Sequence, residues 1–192
     1  MKSFFTLLLI ICCYPVFALQ TLTGKVVSIA DGDTFTILTA NKEQVKIRLY
    51  GIDCPEAKQD FGSKAKQFTS TLCFQKIVKA EIKNNDRYGR KIAVVHLPDG
   101  RIINKEILRA GLAWHYKHYD NSKELALIEE NARKNKTGLW SLKNPVAPWE
   151  FRSNKRKKQP QKNKKLCIAY TKSGKHCQHA ATTGNRCWQH RI

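Results

Sequence analysis

Four acidic side chains fall in two short turns, where they are close enough in sequence to act together. Asp31 and Asp33 flank a glycine in the first turn, and Asp53 and Glu56 flank a Cys-Pro pair in the second. Carboxylates in turns are often only solvated turn-formers, and this interpretation stays open for each pair taken alone. Glycine and proline, however, fix the local backbone and can hold the carboxylates in place. The two turns are therefore candidate catalytic or metal-binding segments.

Basic residues accompany the two acidic turns. In the stretch 45–49 apolar and basic residues alternate, so Arg48 points away from the apolar face. A later turn places Arg87 and Arg90 beside Tyr88. Guanidinium groups can fork onto phosphoryl oxygens and stabilise the charge that develops in a transition state.

This combination suits the hydrolysis of a phosphodiester bond. Two aspartates can hold Ca²⁺ or Mg²⁺ through oxygen, and such an ion polarises a phosphoryl oxygen. Glu56 can orient or deprotonate the attacking water, while two arginines bind the phosphoryl oxygens. Carboxylates and arginines together therefore predict a metal-dependent phosphodiesterase site.

Short strands and helices must position these side chains. Alternating or β-branched stretches predict five strands, at residues 25–29, 34–38, 45–49, 77–82 and 91–97. Helical periodicity and stop signals predict three helices, at residues 63–72, 104–110 and 122–136. A helix inserted after the third of five strands, with two more at the end, fits an α+β fold: a five-stranded OB-type β-barrel packed by three helices.

Three motifs in this order resemble the staphylococcal nuclease (thermonuclease) family. They are residues 31–34 (DGDT), 47–56 (IRLYGIDCPE) and 86–90 (DRYGR), and residues 110–113 and 138–140 are similar to that family as well. The likeness covers about Thr21 to Trp140. It implies an OB-fold barrel with three helices and a Ca²⁺-dependent endonuclease that cuts DNA and RNA and leaves 3′-phosphates.

The resemblance also implies a metal site. By position, Asp33 and Asp53 match the calcium ligands of the family, and Asp31 matches an outer carboxylate near the metal. Cys54 stands where the best-known member has threonine. That position contributes a backbone carbonyl to calcium, which a cysteine supplies equally well.

Catalytic and substrate-binding roles follow from the same resemblance. Glu56 matches the proposed general base, and Arg48 and Arg90 match the two phosphate-binding arginines. Tyr88, with Arg87, resembles the contacts to a terminal phosphate.

An aromatic and basic patch follows the second predicted helix, at residues 114–119. Such interleaving suits base stacking with phosphate attraction, although core packing is the simpler interpretation for Trp114. Tyr116 and Tyr119 resemble family tyrosines that border the nucleotide pocket. We expect His115 and His118 to be surface groups.

The chain ends in a small cysteine-containing unit, residues 166–192. Cys167, Cys177, Cys187 and His190 are separated by turn signals, and thiolate and imidazole donors suit tetrahedral Zn²⁺. A unit this small cannot bury enough core to fold alone, so a structural zinc is expected. The unit resembles small Cys₃His zinc-binding modules. A disulfide between two of the cysteines is the alternative, and His176 or His179 could replace one of the four ligands.

Charge is distributed unevenly along the 192 residues. There are 35 Lys and Arg against 15 Asp and Glu, a formal net charge of +20, which argues against an enzyme for small neutral substrates. Twelve of the basic residues lie from Arg152 onward, and no acidic residue follows Glu150. We expect a nuclease-like domain at 19–151 and a basic linker at 152–165, which binds a polyanion or merely aids solubility.

The first 18 residues have the pattern of a secretory signal peptide. A single lysine precedes an apolar run that ends at Ala18, and this run is short for an uncleaved membrane anchor. No later segment is apolar enough to span a bilayer. Export into the periplasm or the medium is therefore expected, and removal of Cys12 and Cys13 would leave an odd number of cysteines, which disulfides alone cannot pair.

These observations together predict an exported, monomeric, Ca²⁺-dependent nuclease for DNA and RNA with a basic zinc-stapled tail. The first alternative is a catalytically inactive nucleic-acid- or polyanion-binding protein on the same barrel. The second is a surface adhesin for acidic glycans that acts through the tail.

Overall fold

The structure is a computed structural model that describes residues 20–158, 167–179, 181 and 186–190. The predicted signal peptide at 1–18 and the second half of the predicted linker, residues 159–165, lie outside the described residues. The chain divides into two compact units, Met1–Pro148 and Trp149–Ile192, which are taken separately below. No helix among the described residues is long and apolar enough to cross a membrane.

A closed five-stranded barrel forms the first unit. Its hydrogen-bonded order is β1-β2-β3-β6-β5, and β1 also pairs with β5 to complete the ring. All pairs are antiparallel except β3 with β6, which is parallel. The strands are β1 Thr21–Ile29, β2 Thr34–Thr39, β3 Gln44–Leu49, β5 Ile77–Asn85 and β6 Lys91–His96. The five predicted strands and the OB-type barrel are confirmed.

Alternation within each strand builds the core of the barrel. Phe35 and Ile37 of β2 and Ile47 of β3 are fully buried, while the residues between them are half-buried or exposed. This period of two places one face of every strand inside the barrel, where burial of apolar surface stabilises the closed sheet.

Helices cover the barrel and extend its core. Buried residues of all three predicted helices, among them Ala65, Ile107 and Leu125, join the barrel side chains in one apolar cluster. Ser122 caps the third helix, because its hydroxyl accepts a hydrogen bond from the Leu125 amide at 3.3 Å. The helices are α1 Gly62–Cys73, α2 Ile103–Arg109 and α3 Lys123–Lys134.

The structure adds elements that the sequence patterns did not predict. Ile52–Asp53 (β4) and Trp114–His115 (β7) form a separate two-stranded antiparallel sheet, too short to show a periodicity. Gly138–Ser141 forms a 3₁₀ helix. A fourth α-helix, Pro148–Lys158 (α4), makes the predicted number of three helices one too few.

Helix α4 also extends into the stretch predicted as a linker, residues 152–165. Proline is favoured in the first turn of a helix, and acidic residues near the start and basic residues near the end complement the helix dipole. Glu150 lies in the first turn and the last residues are lysines, so the basic run is compatible with a helix here. Residues 152–158 of the predicted linker are therefore helical.

One buried polar side chain connects helix α2 to the barrel. The amide nitrogen of Asn104 donates to the carbonyl oxygens of Tyr50 at 2.8 Å and Ala93 at 3.3 Å, and its oxygen accepts from the Val95 amide at 3.1 Å. Asn104 is 2% exposed, so water cannot easily take the place of its side chain as a hydrogen-bond partner for these backbone groups. The side chain thereby stabilises the end of β3 against β6.

We expect Asn104→Ala to lower the free energy of unfolding by about 3 kcal/mol, because it leaves buried backbone donors and acceptors without this partner. Urea denaturation monitored by fluorescence measures the loss. Asn121→Ala, at an exposed position, is the matched control and should change stability by less than about 0.5 kcal/mol. Equal losses in the two variants would contradict this role.

Candidate active site

A single arginine joins the two predicted metal-binding aspartates. The Arg48 guanidinium donates from Nη1 to Asp33 Oδ1 and from Nη2 to Asp53 Oδ1, both at 2.7 Å. The three residues come from different segments: the turn before β2, strand β3 and strand β4. The structure therefore brings together side chains that the sequence places up to twenty positions apart.

Strand pairing fixes this arrangement. In the β2–β3 register Thr34 lies opposite Arg48, so the residue just before β2 is close to the arginine side chain. The Leu49 amide donates to the Asp33 carbonyl at 2.9 Å and extends the same ladder. Asp53 is paired with Trp114 in the small β4–β7 sheet, which holds the second carboxylate.

Asp33 is buried and heavily hydrogen-bonded. Its oxygens accept from the Thr34 hydroxyl at 2.9 Å and from the Cys54 amide at 2.9 Å, in addition to Arg48. Burial raises the pKa of Asp33 to about 7, since desolvation outweighs the opposing effect of Arg48. Burial alone would lower the pKa of Arg48, but the two neighbouring aspartates together outweigh this effect and raise the pKa, so Arg48 stays charged.

The first acidic turn approaches the second so closely that only glycine fits. A Cβ on Gly32 would lie 2.7 Å from the Ala65 Cβ and 2.9 Å from the Cys54 Sγ. The Gly32 carbonyl also accepts a hydrogen bond from the buried Thr69 hydroxyl at 2.6 Å. Within this turn Asp31 accepts from the Asp33 amide at 3.2 Å and is half-buried. The turn is therefore held from two sides.

The second catalytic arginine of the prediction lies in the β5–β6 turn. Arg90 Nε donates to Asp86 Oδ2 at 2.6 Å, and the same carboxylate accepts from the amides of Tyr88 and Arg90. Burial alone would raise the pKa of Asp86, but these hydrogen bonds outweigh it and lower the pKa. Asp86 was not predicted as a site residue, although an aspartate that opens a turn is a common signal for this role.

One open cleft of about 720 Å³ collects the predicted phosphate- and base-binding residues. The predicted site residues that line this cleft are arginines and tyrosines, and Lys83 and Tyr50 line it as well. The predicted residues in its wall are Arg48, Arg87, Tyr88, Arg90, Tyr116 and Tyr119. Tyr88 and Tyr119 are largely exposed, with relative exposures of 68% and 65%. Rings and guanidinium groups thus share one surface.

The tyrosine-bearing loop is fixed by polar contacts that the sequence did not predict. The Tyr50 hydroxyl donates to the Tyr119 carbonyl at 2.8 Å, and His115 Nε2 lies 2.9 Å from Asp120 Oδ1. The expectation that His115 is a surface group is wrong, because it is 3% exposed in strand β7. His118 is exposed, as predicted.

Trp114 packs against a second tryptophan and an arginine. Its ring lies 4.4 Å from that of Trp140 in an edge-on arrangement, and the Arg133 guanidinium lies over both rings. This supports the core-packing interpretation of Trp114 that the sequence favoured.

Glu56 lies in the segment between strand β4 and helix α1. It is half-buried, and its amide donates to the Gln59 side chain at 3.1 Å. Among the described residues that line the cleft, Glu56 does not appear. In the sequence Glu56 follows Asp53 by three residues, so it is a near neighbour of the acidic cluster along the chain.

The acidic cluster suits a hard cation. Asp33 and Asp53 are 2% and 1% exposed, and both present carboxylate oxygens to the same positive group. Buried carboxylates with this much desolvation are stabilised by added positive charge, and oxygen donors are what Ca²⁺ and Mg²⁺ prefer. The residues present therefore fit a divalent ion bound through Asp33 and Asp53.

A second potential metal site lies in the carboxyl-terminal unit. The ligand atoms of Cys167, Cys177, Cys187 and His190 all lie within 4.8 Å of one another. Burial opposes ionisation of Cys167, but hydrogen bonds, chiefly from the Cys187 and Ala169 amides, lower the pKa of its thiol to about 6. The structure thus brings together the four predicted ligands. The three thiols are buried, and none is in a disulfide.

The barrel and its acidic and basic site define the class of protein. A family model described as Staphylococcal nuclease homologue matches residues 46–142, which include Arg48 and Arg90. An Escherichia coli O157:H7 protein named an uncharacterized endonuclease is 39% identical over 155 residues, covering 81% of this chain and 100% of that protein. The chain therefore belongs to the family of staphylococcal nuclease homologues, as its motifs indicated.

Further relatives extend the comparison. A protein named micrococcal nuclease from Shigella flexneri is 38% identical over 139 residues, covering 67% of this chain and 79% of that protein. The staphylococcal-like nuclease CAN1 of Arabidopsis thaliana is 40% identical over 114 residues, covering 59% of this chain and 35% of that protein. The family model begins after Asp33 and ends before the cysteine-containing unit, so both lie beyond the matched residues.

We expect Arg48→Gln to lower the free energy of unfolding in calcium-free buffer by about 3 kcal/mol, because two buried carboxylates lose their shared counter-charge. Urea denaturation measures this. Arg90→Gln is the control and should cost less than about 1 kcal/mol, because its ion pair with Asp86 lies in a more exposed turn. Adding Asp33→Asn to Arg48→Gln should recover part of the loss. Equal losses for the two arginines would contradict the proposed difference.

Proposed function

We propose that this protein is an exported, Ca²⁺-dependent endonuclease that hydrolyses DNA and RNA and leaves 3′-phosphates. One observation carries the proposal: Arg48 contacts both buried aspartates and also lines the cleft that holds Arg90 and the tyrosines. A phosphodiester that binds to Arg48 would therefore lie beside the acidic cluster. Membership of the nuclease family supports the same function.

The acidic residues have the role of holding calcium. In this proposal Asp33 and Asp53 bind Ca²⁺ with the backbone carbonyl of Cys54, and Asp31 is an outer carboxylate. When bound, the ion polarises a phosphoryl oxygen and offsets developing negative charge. Burial of the Cys54 thiol raises its pKa well above the usual range, so this side chain stays a neutral neighbour of the carboxylates.

The basic and aromatic residues have the role of holding the substrate. Arg48 and Arg90 bind the oxygens of the scissile phosphate, and stabilise them most when charge builds up. Arg87 and Tyr88 contact a terminal phosphate, and the rings of Tyr116 and Tyr119 border the bases. The Arg87 guanidinium already lies 4.9 Å from the centre of the Tyr88 ring, which keeps the two groups on one surface.

Glu56 has the role of general base. It takes a proton from water, whose oxygen bonds to phosphorus while the bond from phosphorus to the 5′-oxygen breaks. The 5′-oxygen takes up a proton from solvent and leaves as a hydroxyl, and the phosphate stays on the 3′ side. A catalytically inactive nucleic-acid-binding protein on this barrel would lack this step, and it is the alternative that the assay below separates.

We expect the purified mature chain to digest plasmid DNA and RNA with Ca²⁺ and to stop when a chelator removes the ion. Glu56→Gln and Arg90→Ala should each lower the rate at least about 100-fold, because a general base and a transition-state contact are lost. Glu43→Gln, in an exposed turn, is the matched control and should keep full activity.

Two outcomes would reject the proposal. Full activity in the presence of chelator would reject calcium dependence, and cleavage that persists in the Glu56→Gln and Arg90→Ala double variant would reject this site. Phosphatase treatment that converts product ends to 3′-hydroxyls identifies 3′-phosphates. Binding without any cleavage would instead support the inactive alternative.

Export and a monomeric state belong to the same proposal. The apolar run ending at Ala18 supports cleavage by a signal peptidase and a periplasmic or extracellular location. A nonspecific nuclease in such a compartment would meet nucleic acid from outside the cell.

We further propose that Cys167, Cys177, Cys187 and His190 hold a structural Zn²⁺. Three buried sulfur atoms and one imidazole nitrogen converge, which is a common donor set for tetrahedral zinc. The only apolar cluster of this unit among the described residues is formed by the cysteines themselves with Ala169, so little else stabilises its fold.

We expect the full mature chain to contain one zinc ion, measured by plasma mass spectrometry after exhaustive dialysis. Cys187→Ala should reduce the zinc content to near zero, because three ligands hold the ion much more weakly than four. His176→Ala is the control, since this histidine is exposed and outside the cluster, and it should keep the metal. A metal-free wild-type protein with two fewer free thiols would support the disulfide alternative instead.

A further inference from the structure

The carboxyl-terminal unit contains a short hairpin. Residues 167–179 fold back on themselves, and Tyr170 lies opposite His176 in an antiparallel bridge. The Cys177 amide donates to the Ala169 carbonyl and the Cys167 amide to the His179 carbonyl, both at 2.9 Å. Residues 171–175 form the turn, in which Gly174 has the positive φ of 74° that glycine tolerates. The hairpin therefore has a defined pleat.

The two faces of this hairpin differ in character. Successive residues of a strand point to opposite faces, so Cys167, Ala169 and Cys177 share the face of the cysteine cluster. Ile168 and Tyr170 alternate with them and are 54% and 64% exposed. The outward face thus presents apolar and aromatic groups that the unit does not cover among its described residues.

Two rings form the centre of the outward face. The ring centres of Tyr170 and His176 lie 4.6 Å apart, with the planes inclined by 45°. Both residues are exposed. Cross-strand pairing holds the two rings beside each other, which limits the freedom that would otherwise be lost on binding a ligand.

Basic residues lie close to these two rings in the sequence. Lys172 and Lys175 lie in the exposed turn next to the pair, and Arg186 is exposed as well. No acidic residue follows Glu150 in the sequence, so no carboxylate of this segment neutralises them. An aromatic surface bordered by unopposed lysines is complementary to unpaired bases and their phosphates.

We propose that the outward face of this hairpin is a second nucleic-acid site that binds single-stranded polynucleotide. Bases stack on Tyr170 and His176, and the neighbouring phosphates contact Lys172 and Lys175. Single strands fit better than duplexes, because bases inside a duplex already stack on one another and cannot reach a protein ring. The inference deepens the proposed function and rests on it: this face retains the polynucleotide that the barrel cuts.

The test measures binding to a fluorescein-labelled dT20 oligonucleotide by anisotropy in calcium-free buffer without chelator. The protein is the full mature chain carrying Arg87→Ala and Arg90→Ala, which weaken the barrel cleft and leave the second face as the main contributor. A denaturing gel confirms that the oligonucleotide is intact. Because the readout needs no cleavage, its failure is distinct from a failure of the calcium-dependent assay.

In this background Tyr170→Ala should raise the dissociation constant about tenfold, whereas Tyr170→Phe, which keeps the ring, should stay within about twofold. Replacing Lys172 and Lys175 with glutamine should reduce the slope of log affinity against log salt by about 1.4, since each single-strand phosphate contact contributes about 0.7. Zinc content, measured for every variant, reports whether the unit is still folded.

Three results would overturn the inference. The first is a zinc-loaded Tyr170→Ala protein that binds dT20 as tightly as its background. The second is an equal loss of affinity for dT20 and for heparin in Tyr170→Ala, which would identify a general surface for acidic polymers. The third is a slope of log affinity against log salt that does not change when Lys172 and Lys175 are replaced with glutamine. If Tyr170→Ala loses its zinc and cannot be interpreted, this third measurement alone tests the inference.

Discussion

The site depends on one shared counter-charge. Arg48 donates to Asp33 and Asp53 and so connects the turn before β2, strand β3 and strand β4. Two carboxylates buried this close together repel each other and lose their hydration, which costs free energy. A positive charge at the protein surface would offset little of this cost, because water weakens its interaction with the carboxylates. The same guanidinium also forms part of the cleft wall. One side chain therefore allows the acidic cluster to fold and faces the space where a phosphate can bind.

Positive charge in this protein occurs in two different settings. On the barrel, ion pairs with carboxylates orient the two predicted catalytic arginines: Arg48 pairs with two aspartates and Arg90 pairs with Asp86. In the carboxyl-terminal unit Lys172 and Lys175 lie in an exposed turn of a segment without acidic residues. Arginines that carboxylates hold in a fixed orientation can stabilise a transition state more than the bound substrate, because their geometry matches it. Lysines without a carboxylate partner attract any phosphate within about a Debye length. The first setting suits cleavage and the second suits capture.

Much of the fold was predictable because its signals are local. Each barrel strand shows its inward face within five or six residues, as Phe35 and Ile37 do in β2. The motif around Asp53 indicated the family, and the residue types of the Cys₃His cluster indicated their convergence. Helix α4 was missed because its lysines and arginines resemble a charged linker, although they also complement the end of a helix.

The sequence by itself determined which residue types are available to bind metal ions, phosphates and bases. These are the aspartates, the arginines, the tyrosines and the four sulfur and nitrogen donors. Alternation and turn chemistry act over a few residues, so these features can be recognised without a partner segment. Only the tertiary structure decided what those residues contact. His115 is buried because β7 pairs with β4, and Tyr119 is fixed by Tyr50, sixty-nine positions earlier. Burial and convergence depend on which distant segments pack together, and no pattern within one segment contains that information.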